Sequence, residues 1–454
     1  MQFVDIQEAQ ESPLAVSFLV ISCAIFIKHF PISPLVLTYK TKLMKHSALF
    51  RLTCCIVLLM YFPILVEAQQ KGFITTRGKE VIGPNGKPFL MRGTNLGNWL
   101  VPEGYMWGFQ QVNSPRLINQ VLSELTGPSE TRLFWKQYLD NFITAADIHY
   151  LRSLGMNSIR VPFNYRLFTK ENYLGENNEN HGFELLDRLI KWCKKEQLYV
   201  VLDMHCAPGG QTGDNIDDGD GYPFLYDSKN DKELTTSIWK RIARYYKNDT
   251  TVLGYDLLNE PIAHYFDKAH FNPKLEPLYK MITAAIRTVD NNHIIIVGGA
   301  QWDSNFQPFG PPFDHKLIYE FHKYWTAPTK EVIKEYLTFR DKYNVPIYCG
   351  ETGENTDQWV DSFRVVLEQN AVGWHYWPYK KLQSASSVVQ IKKPSYYDDI
   401  SSYTEKVKQN FADIRKSRPE NMDRIRQALK EYLINCRFEN CVPNKGYSKA
   451  LGFE

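Results

Sequence analysis

The sequence predicts an α/β chain folded as a (β/α)8 TIM barrel, a single domain with long βα loops. Eight short apolar runs recur between residues 88 and 380, and near-continuous apolar runs suit strands buried on both faces of a parallel sheet. Amphipathic stretches of helical period lie between most of them, and eight strand–helix units close into a barrel. Seven of the eight runs also end in polar or aromatic residues on the same, C-terminal, side.

The runs are "PFLMRGTNLG" (88–97), "NSIRVPF" (157–163), "LYVVLDMH" (198–205), "VLGYDLLNEP" (252–261), "HIIIVGG" (293–299), "KLIYEFHKY" (316–324), "VPIYCGETGE" (345–354) and "AVGWHYWPYK" (371–380). Among the helical stretches, 183–197 carries its apolar stripe at Phe183, Leu185, Leu186, Leu189, Ile190 and Cys193. A second covers 274–290, and a third, 329–343, starts at a Thr329 cap. The chain is longer than the ~250 residues typical of the bare fold. The excess falls in a helical insertion over 115–141, a Gly/Asp-rich loop over 206–230 and a charged tail beyond about Tyr396 that supplies the last helices.

With 44% hydrophobic and 23% charged residues, the 454-residue chain has the composition of an ordinary globular protein. A net charge of +3 without a dense basic stripe argues against a nucleic-acid partner. Aromatics reach 14%; exposed rings stack on sugars, although core packing is their commoner use. The apolar runs 14–27 and 52–66 are shorter than the ~18 residues a spanning helix needs. From Met44, Lys45, His46 and Arg51 form a basic n-region before the second run. Val66-Glu67-Ala68 follows with small residues at the −3 and −1 places, so a signal peptide cleaved after Ala68 is expected. The expected division is a non-native upstream extension (1–43), a signal peptide (44–68) and the barrel domain (69–454). The product would be secreted or periplasmic and off the membrane; a double membrane anchor is the alternative. Of eight Cys, Cys436 and Cys441 could close a small disulfide loop, and Cys193, Cys206 and Cys349 read as buried thiols.

The run ends carry Asn95 and Asn98, Arg160, Asp203 and His205, Asn259 and Glu260, His322 and Tyr324, Glu351, and Trp377. In a barrel these ends open onto one face, where active sites lie. Glu260 and Glu351 end the fourth and seventh runs, three steps apart in a ring of eight, and so face each other across the mouth. Two carboxyls across a cleft are what glycosidic cleavage requires, one donating a proton and one attacking or activating water. No cofactor is called for. The acidic loop 213–221 fails as a calcium site because Ile216 breaks the alternation of oxygen ligands, and no CxxC pair supports zinc. Gln211 and Asp214 in this region are expected to meet sugar.

Six motifs in order, "IRVPFN" (159–164), "VVLDMH" (200–205), "LLNEP" (257–261), "YEFHKY" (319–324), "GET" (350–352) and "GWHYW" (373–377), resemble the strand-end motifs of glycoside hydrolase family 5, the cellulase family. The resemblance runs from about Gly93 to Lys380. It implies a retaining mechanism with Glu260 as acid/base and Glu351 as nucleophile. Arg160 would hold the nucleophile ionised, Asn259 would bond the sugar 2-hydroxyl and Tyr324 would touch Glu351. His205 and His322 would line the −1 subsite, and Trp377 would be a stacking platform. "GTNLGNWLVPE" (93–103), the segment 141–163 and "HCAPGGQTGDN" (205–215) are similar to the exo-acting β-1,3-glucanase branch, in which the glutamate matching Glu103 binds the terminal glucose. Asn98 stands where that branch usually has Gly, and "GETGEN" lacks the Trp usual near its nucleophile. A monomer acting on β-glucan oligo- or polysaccharide is expected. Exo-β-1,3 action, endo-β-1,4 action, transglycosylation and a non-catalytic carbohydrate-binding barrel stay open.

Overall fold

Residues 72–453 are described by a computed structural model, and the expected upstream extension and signal peptide lie outside them. Eight parallel strands close into a barrel in chain order. They are β1 (Arg92–Asn95), β2 (Ser158–Asn164), β3 (Tyr199–Cys206), β4 (Val252–Asp256), β5 (Ile294–Gly298), β6 (Leu317–Lys323), β7 (Ile347–Gly353) and β8 (Gly373–Trp377). Every apolar run supplies one strand, and β8 pairs with both β1 and β7 to close the ring.

The barrel interior is apolar at its base and polar at its mouth. Side chains on a strand alternate between faces, so i and i+2 share the interior. Along β3 the series Val201, Asp203, His205 rises toward the mouth, and along β6 the series is Ile318, Glu320, His322. Val201 and Ile318 join Leu253, Ile294, Ile296 and Tyr348 in an apolar cluster at the base. Met91 joins it, as do Val81 from a short antiparallel strand pair (Thr75–Arg77 and Glu80–Ile82) and Ile74 just before that pair. The hairpin was not legible in the sequence because each of its strands is only three residues long.

The helical insertion is two helices, α1 (Pro115–Thr126) and α2 (Pro128–Asn141), each with Pro in the first turn, where its missing N–H costs nothing. Then come α3 (Ala145–Leu154), α4 (His181–Glu196), α5 (Lys229–Tyr246), α6 (Lys268–Arg287), α7 (Lys334–Tyr343), α8 (Asp357–Gln369) and, in the tail, α9 (Met422–Asn435). The predicted stripe of α4 is the face it buries. α6 begins at Lys268, ahead of the expected 274, and carries Pro273 and Pro277 inside it. The buried face Phe271, Leu275, Leu278, Tyr279 and Ile282 holds it together through the prolines. Thr329 makes no side-chain cap; it precedes a 3₁₀ turn (Lys330–Ile333) that leads into α7. Trp107 stacks on Tyr432 of α9 at 4.5 Å and packs against Trp135 and Tyr138 of α2, so the tail and the insertion share one aromatic core.

The five described cysteines are free. Cys193, Cys206 and Cys349 are buried, as expected. The disulfide that Cys436 and Cys441 could have closed is not formed: Cys436 Sγ donates to Leu433 O at 3.4 Å and Cys441 Sγ to Asn435 O at 3.3 Å, near the end of α9. No helix among the described residues is long and apolar enough to cross a membrane.

Just past β8, Lys380 is fully buried. Its ammonium donates to Asp147 Oδ1 (2.6 Å), Phe142 O (2.6 Å) and Cys436 O (2.9 Å), joining the barrel to α3 and to the end of α9. Removing one partner of a buried pair strands the other charge. Asp147→Ala is therefore expected to cost about 3–5 kcal/mol in urea unfolding, and Asp147→Asn, which keeps an acceptor, clearly less.

Candidate active site

Arg160, inward on β2, is completely buried, yet it is surrounded by charge. Its Nε lies 2.8 Å from Asp256 Oδ2 and 3.5 Å from Glu320 Oε1, its Nη2 is 3.2 Å from Asp203 Oδ2, and its Nη1 is 2.6 Å from Glu351 Oε1. Nη1 also donates to Asn95 Oδ1 (3.1 Å) and Nη2 to Asn259 Oδ1 (2.9 Å). Burial works against the guanidinium charge, but Asp203, Asp256, Glu320 and Glu351 more than offset it and raise its pKa further. Burial, with Glu320 beside it, pushes the Asp256 carboxyl well above the usual range even though Arg160 opposes this. Glu320 reaches the centre because β7 has Gly350 there: a Cβ would stand 1.4 Å from Glu320 Oε1.

The two facing carboxyls meet as the ring geometry requires. Oxygens of Glu260 and Glu351 and a nitrogen of His322 all lie within 4.8 Å of one another. His322 is paired with Glu351 in the β6–β7 register, just after a register shift between Phe321 and His322. Its Nδ1 is 3.0 Å from Glu260 Oε1 and 3.8 Å from Glu351 Oε2, and its Nε2 is 3.1 Å from Glu320 Oε1. Burial disfavours the charged ring, but Glu351, Asp303, Glu260 and Glu320 together raise its pKa well above the ordinary histidine value. Glu260, His322 and Glu351 are also a set of side chains that could hold a metal ion. Tyr324 OH donates to Glu351 Oε2 at 3.0 Å; burial and then Glu351 push the phenol up, so it remains a donor.

The backbone at Glu260 is gripped from two sides. Its φ of 45° is left-handed, which costs a non-glycine residue roughly 1–2 kcal/mol. Its N–H donates to Asp303 Oδ2 at 2.8 Å, and its carbonyl accepts from Thr212 Oγ1 at 2.7 Å. The loop after β3 supplies this second grip. Gln211 was expected to touch sugar; instead it is buried, with Oε1 accepting Ala207 N–H and Nε2 donating to the carbonyls of His205 and Asn259. Its amide is wholly used in latching the β3 loop to the end of β4. Asp214 Oδ2 accepts from Tyr265 OH at 2.6 Å. The neighbouring Asp217 accepts from the N–H groups of Thr212, Gly213 and Gly219, so the acidic loop folds around its own carboxylate.

On the other side of the mouth, Glu103 lies 3.9 Å from His205 Nε2, and His205 Nδ1 is 2.8 Å from Asp203 Oδ2. Burial, against the pull of His205, pushes the Glu103 carboxyl up to about 8. Glu103 Oε1 is buried with no hydrogen-bond partner among the described residues. The Trp377 indole lies flat on His205, centroids 5.7 Å apart and 7° from parallel, and donates to Tyr105 OH at 2.6 Å. Trp377 is only 2% exposed, so it is a floor rather than a projecting ledge. Asn98, which departs from the usual Gly, has φ 65°, a conformation that Asn tolerates. Its Oδ1 accepts from Glu103 N–H (3.0 Å) and Trp107 Nε1 (2.9 Å) and so shapes the loop that carries Glu103.

The structure thus brings Glu103, Arg160, His205, Asn259, Glu260, His322, Tyr324, Glu351 and Trp377 to one mouth. Sequence reasoning missed Tyr105, Thr212, Asp256, Asp303 and Glu320 as members of the site. Glu320 was findable, since it lies two residues before His322 on the same face of a strand. Asp303 carried no such signal, because it follows β5 in a turn that no periodicity describes.

A family model described as Cellulase (glycosyl hydrolase family 5) matches residues 119–383. The chain is 32% identical over 239 residues to the β-xylosidase of Phanerodontia chrysosporium, spanning 52% of this chain and 48% of that protein. It is 26% identical over 316 residues to endoglucanase C of Acetivibrio thermocellus (56% and 89%) and 30% identical over 258 residues to the glucan 1,3-β-glucosidase of Candida oleophila (52% and 58%). The chain therefore spans about half the length of two of these relatives and most of the third. The family match covers more than half of the chain, and the barrel carries the paired carboxyls such chemistry uses: the chain belongs to glycosyl hydrolase family 5 and is a glycosidase.

Proposed function

We propose that the protein is a secreted, retaining β-glucan hydrolase in which Glu260 is the acid/base and Glu351 the nucleophile. The observation that carries this reading is the approach of the two carboxyls within 4.8 Å, beside His322, at the polar mouth. Retaining enzymes hold the pair ~5–5.5 Å apart, whereas inverting ones leave room for a water between them. Two of the three relatives are named for action on glucans.

In the first step Glu351 attacks the anomeric carbon, the bond to the leaving oxygen breaks, and the Glu260 proton passes to that oxygen. The Nδ1–H of His322, 3.0 Å away, receives the new Glu260 anion. Arg160 and Tyr324 hold Glu351 from opposite oxygens, which fixes its trajectory. In the second step water attacks the anomeric carbon, gives its proton to Glu260 and releases Glu351. A sugar hydroxyl in place of that water would give transglycosylation. Asn259, held by Arg160, is set to bond the sugar 2-hydroxyl as positive charge develops. His205 and Trp377 form the floor of the −1 subsite. Glu103, with an unpartnered buried oxygen, closes that end and favours release of single sugars from chain ends. Residues 69–454 are the catalytic domain of this reading, acting as a monomer without a cofactor after loss of the signal peptide 44–68.

Glu351→Gln is expected to lose nearly all turnover. Glu260→Ala is expected to lose turnover on β-glucan, keep part of it on aryl glycosides with good leaving groups, and form β-glycosyl azide when azide is added. Near-normal glucan hydrolysis by either variant would defeat the assignment.

Glu103 gives a second test. Below about 8 its carboxyl keeps its proton and donates to a sugar oxygen; above that it is an anion and can only accept. The KM for laminaribiose is expected to rise as pH passes through about 8, and Glu103→Gln, a donor at every pH, is expected to lack that rise. An open cleft that does not use Glu103 would show the same KM profile in both proteins.

A further inference from the structure

We propose that Asp303 is the positioning residue of the acid/base: by accepting the backbone N–H of Glu260 it fixes the peptide from which that carboxyl reaches the bond to be cut. This rests on the assignment of Glu260 made above.

The device begins where β5 ends. Gln301, Trp302 and Asp303 are consecutive left-handed residues, with φ of 52°, 62° and 55°. Three L-residues in a row hold that conformation only when the surroundings over-determine it. Here they do. Ala300 and Asn305 exchange backbone bonds of 3.0 and 2.9 Å, Asn305 Nδ2 donates to Gln301 Oε1 at 2.7 Å, and Tyr336 OH donates to Ser304 O at 2.8 Å. Trp302 N–H donates to Pro261 O at 3.3 Å, so the turn is fastened directly to the residue after Glu260.

The turn delivers a fully buried carboxyl beneath the acid/base. Asp303 Oδ2 accepts Glu260 N–H at 2.8 Å and lies 3.4 Å from His322 Nε2. Space for it depends on Gly298, since a Cβ there would stand 1.9 Å from Asp303 Oδ1. Burial first, with Glu320, Asp256 and Glu260 against the pull of His322, pushes Asp303 well above the carboxylate range. The carboxyl accepts the Glu260 N–H through one oxygen, as the amide oxygen of Asn could. Glu260, itself left-handed, would otherwise relax toward ordinary backbone and carry its side chain away from His322 and Glu351.

An acid/base out of place matters most when the leaving oxygen needs a proton. The test is kcat/KM, which reports formation of the glycosyl-enzyme, on aryl β-glucosides running from 2,4-dinitrophenyl to unsubstituted phenyl. The full chain is compared with Glu260→Ala, Asp303→Ala, Asp303→Asn and Gly298→Ala. Asp303→Ala is expected to lose about 10²-fold on the phenyl glucoside but less than about 5-fold on the dinitrophenyl one, within the span general acid catalysis supplies. Gly298→Ala is expected to steepen the dependence in the same way, and Asp303→Asn to keep the shallow slope of the parent. Equal loss across the series, or an unchanged slope, in Asp303→Ala overturns the proposal. Should that variant not fold, Gly298→Ala and Asp303→Asn decide: a steep slope in the first with a shallow one in the second supports it, and two parallel slopes overturn it. If Glu260→Ala itself shows no steepening, the acid/base assignment fails, and that outcome is read from Glu260→Ala alone.

Discussion

The buried guanidinium of Arg160 is the interaction on which the site depends. One cation, wholly out of water, touches Asp203, Asp256, Glu320 and Glu351 from β3, β4, β6 and β7, and Asn95 and Asn259 from either side. Each of those acids would be intolerable alone at that depth, because an unpaired buried charge costs several kcal/mol. Nor could the cation stand without them. Such a hub adds little net stability compared with a hydrophobic core, since desolvation consumes most of the attraction. What it gives is register: the ends of five strands are tied to one planar group whose donors have fixed directions. The nucleophile inherits that precision through a 2.6 Å bond.

The hub also explains the layering of the barrel. The apolar base around Ile294, Ile296 and Ile318 needs no partners and is filled by shape. One step up the strands, Asp203, Asp256 and Glu320 point inward and gather around Arg160. Burial shifts the Asp256 and Asp303 carboxyls upward and pushes Glu103 up to about 8, while at His322 the surrounding carboxyls outweigh burial and raise the imidazole.

The sequence revealed what periodicity and strand ends can carry. Eight apolar runs became eight strands because burial on both faces is written continuously into them. The polar residues that end the runs converged, because a closed barrel leaves strand ends only one place to go. Hidden features were those set by turns or by long-range fit. The left-handed run at Gln301–Asp303 has no sequence period. Gln211 looked like a polar loop residue free for a ligand, yet its amide was already committed to three backbone groups. The Cys436–Cys441 pair could have been a loop staple, but both thiols are free, each within reach of a backbone carbonyl near the end of α9.

Glu260 and Glu351 are held in different ways, and the difference fits their tasks. Glu351 is fixed by its side chain, with Arg160 on one oxygen and Tyr324 on the other. An attacking oxygen must travel along one line, so both ends of its carboxyl are constrained. Glu260 is fixed by its backbone, with Asp303 on its N–H and Thr212 on its carbonyl, and among the described residues its side chain meets only His322 within bonding distance. A proton donor that later becomes a base has to change its bonding in each half of the cycle. A clamped peptide with a lightly held carboxyl permits that change without losing position. The loop after β3 and the turn after β5 lie on either side of β4, and both converge on the backbone of Glu260.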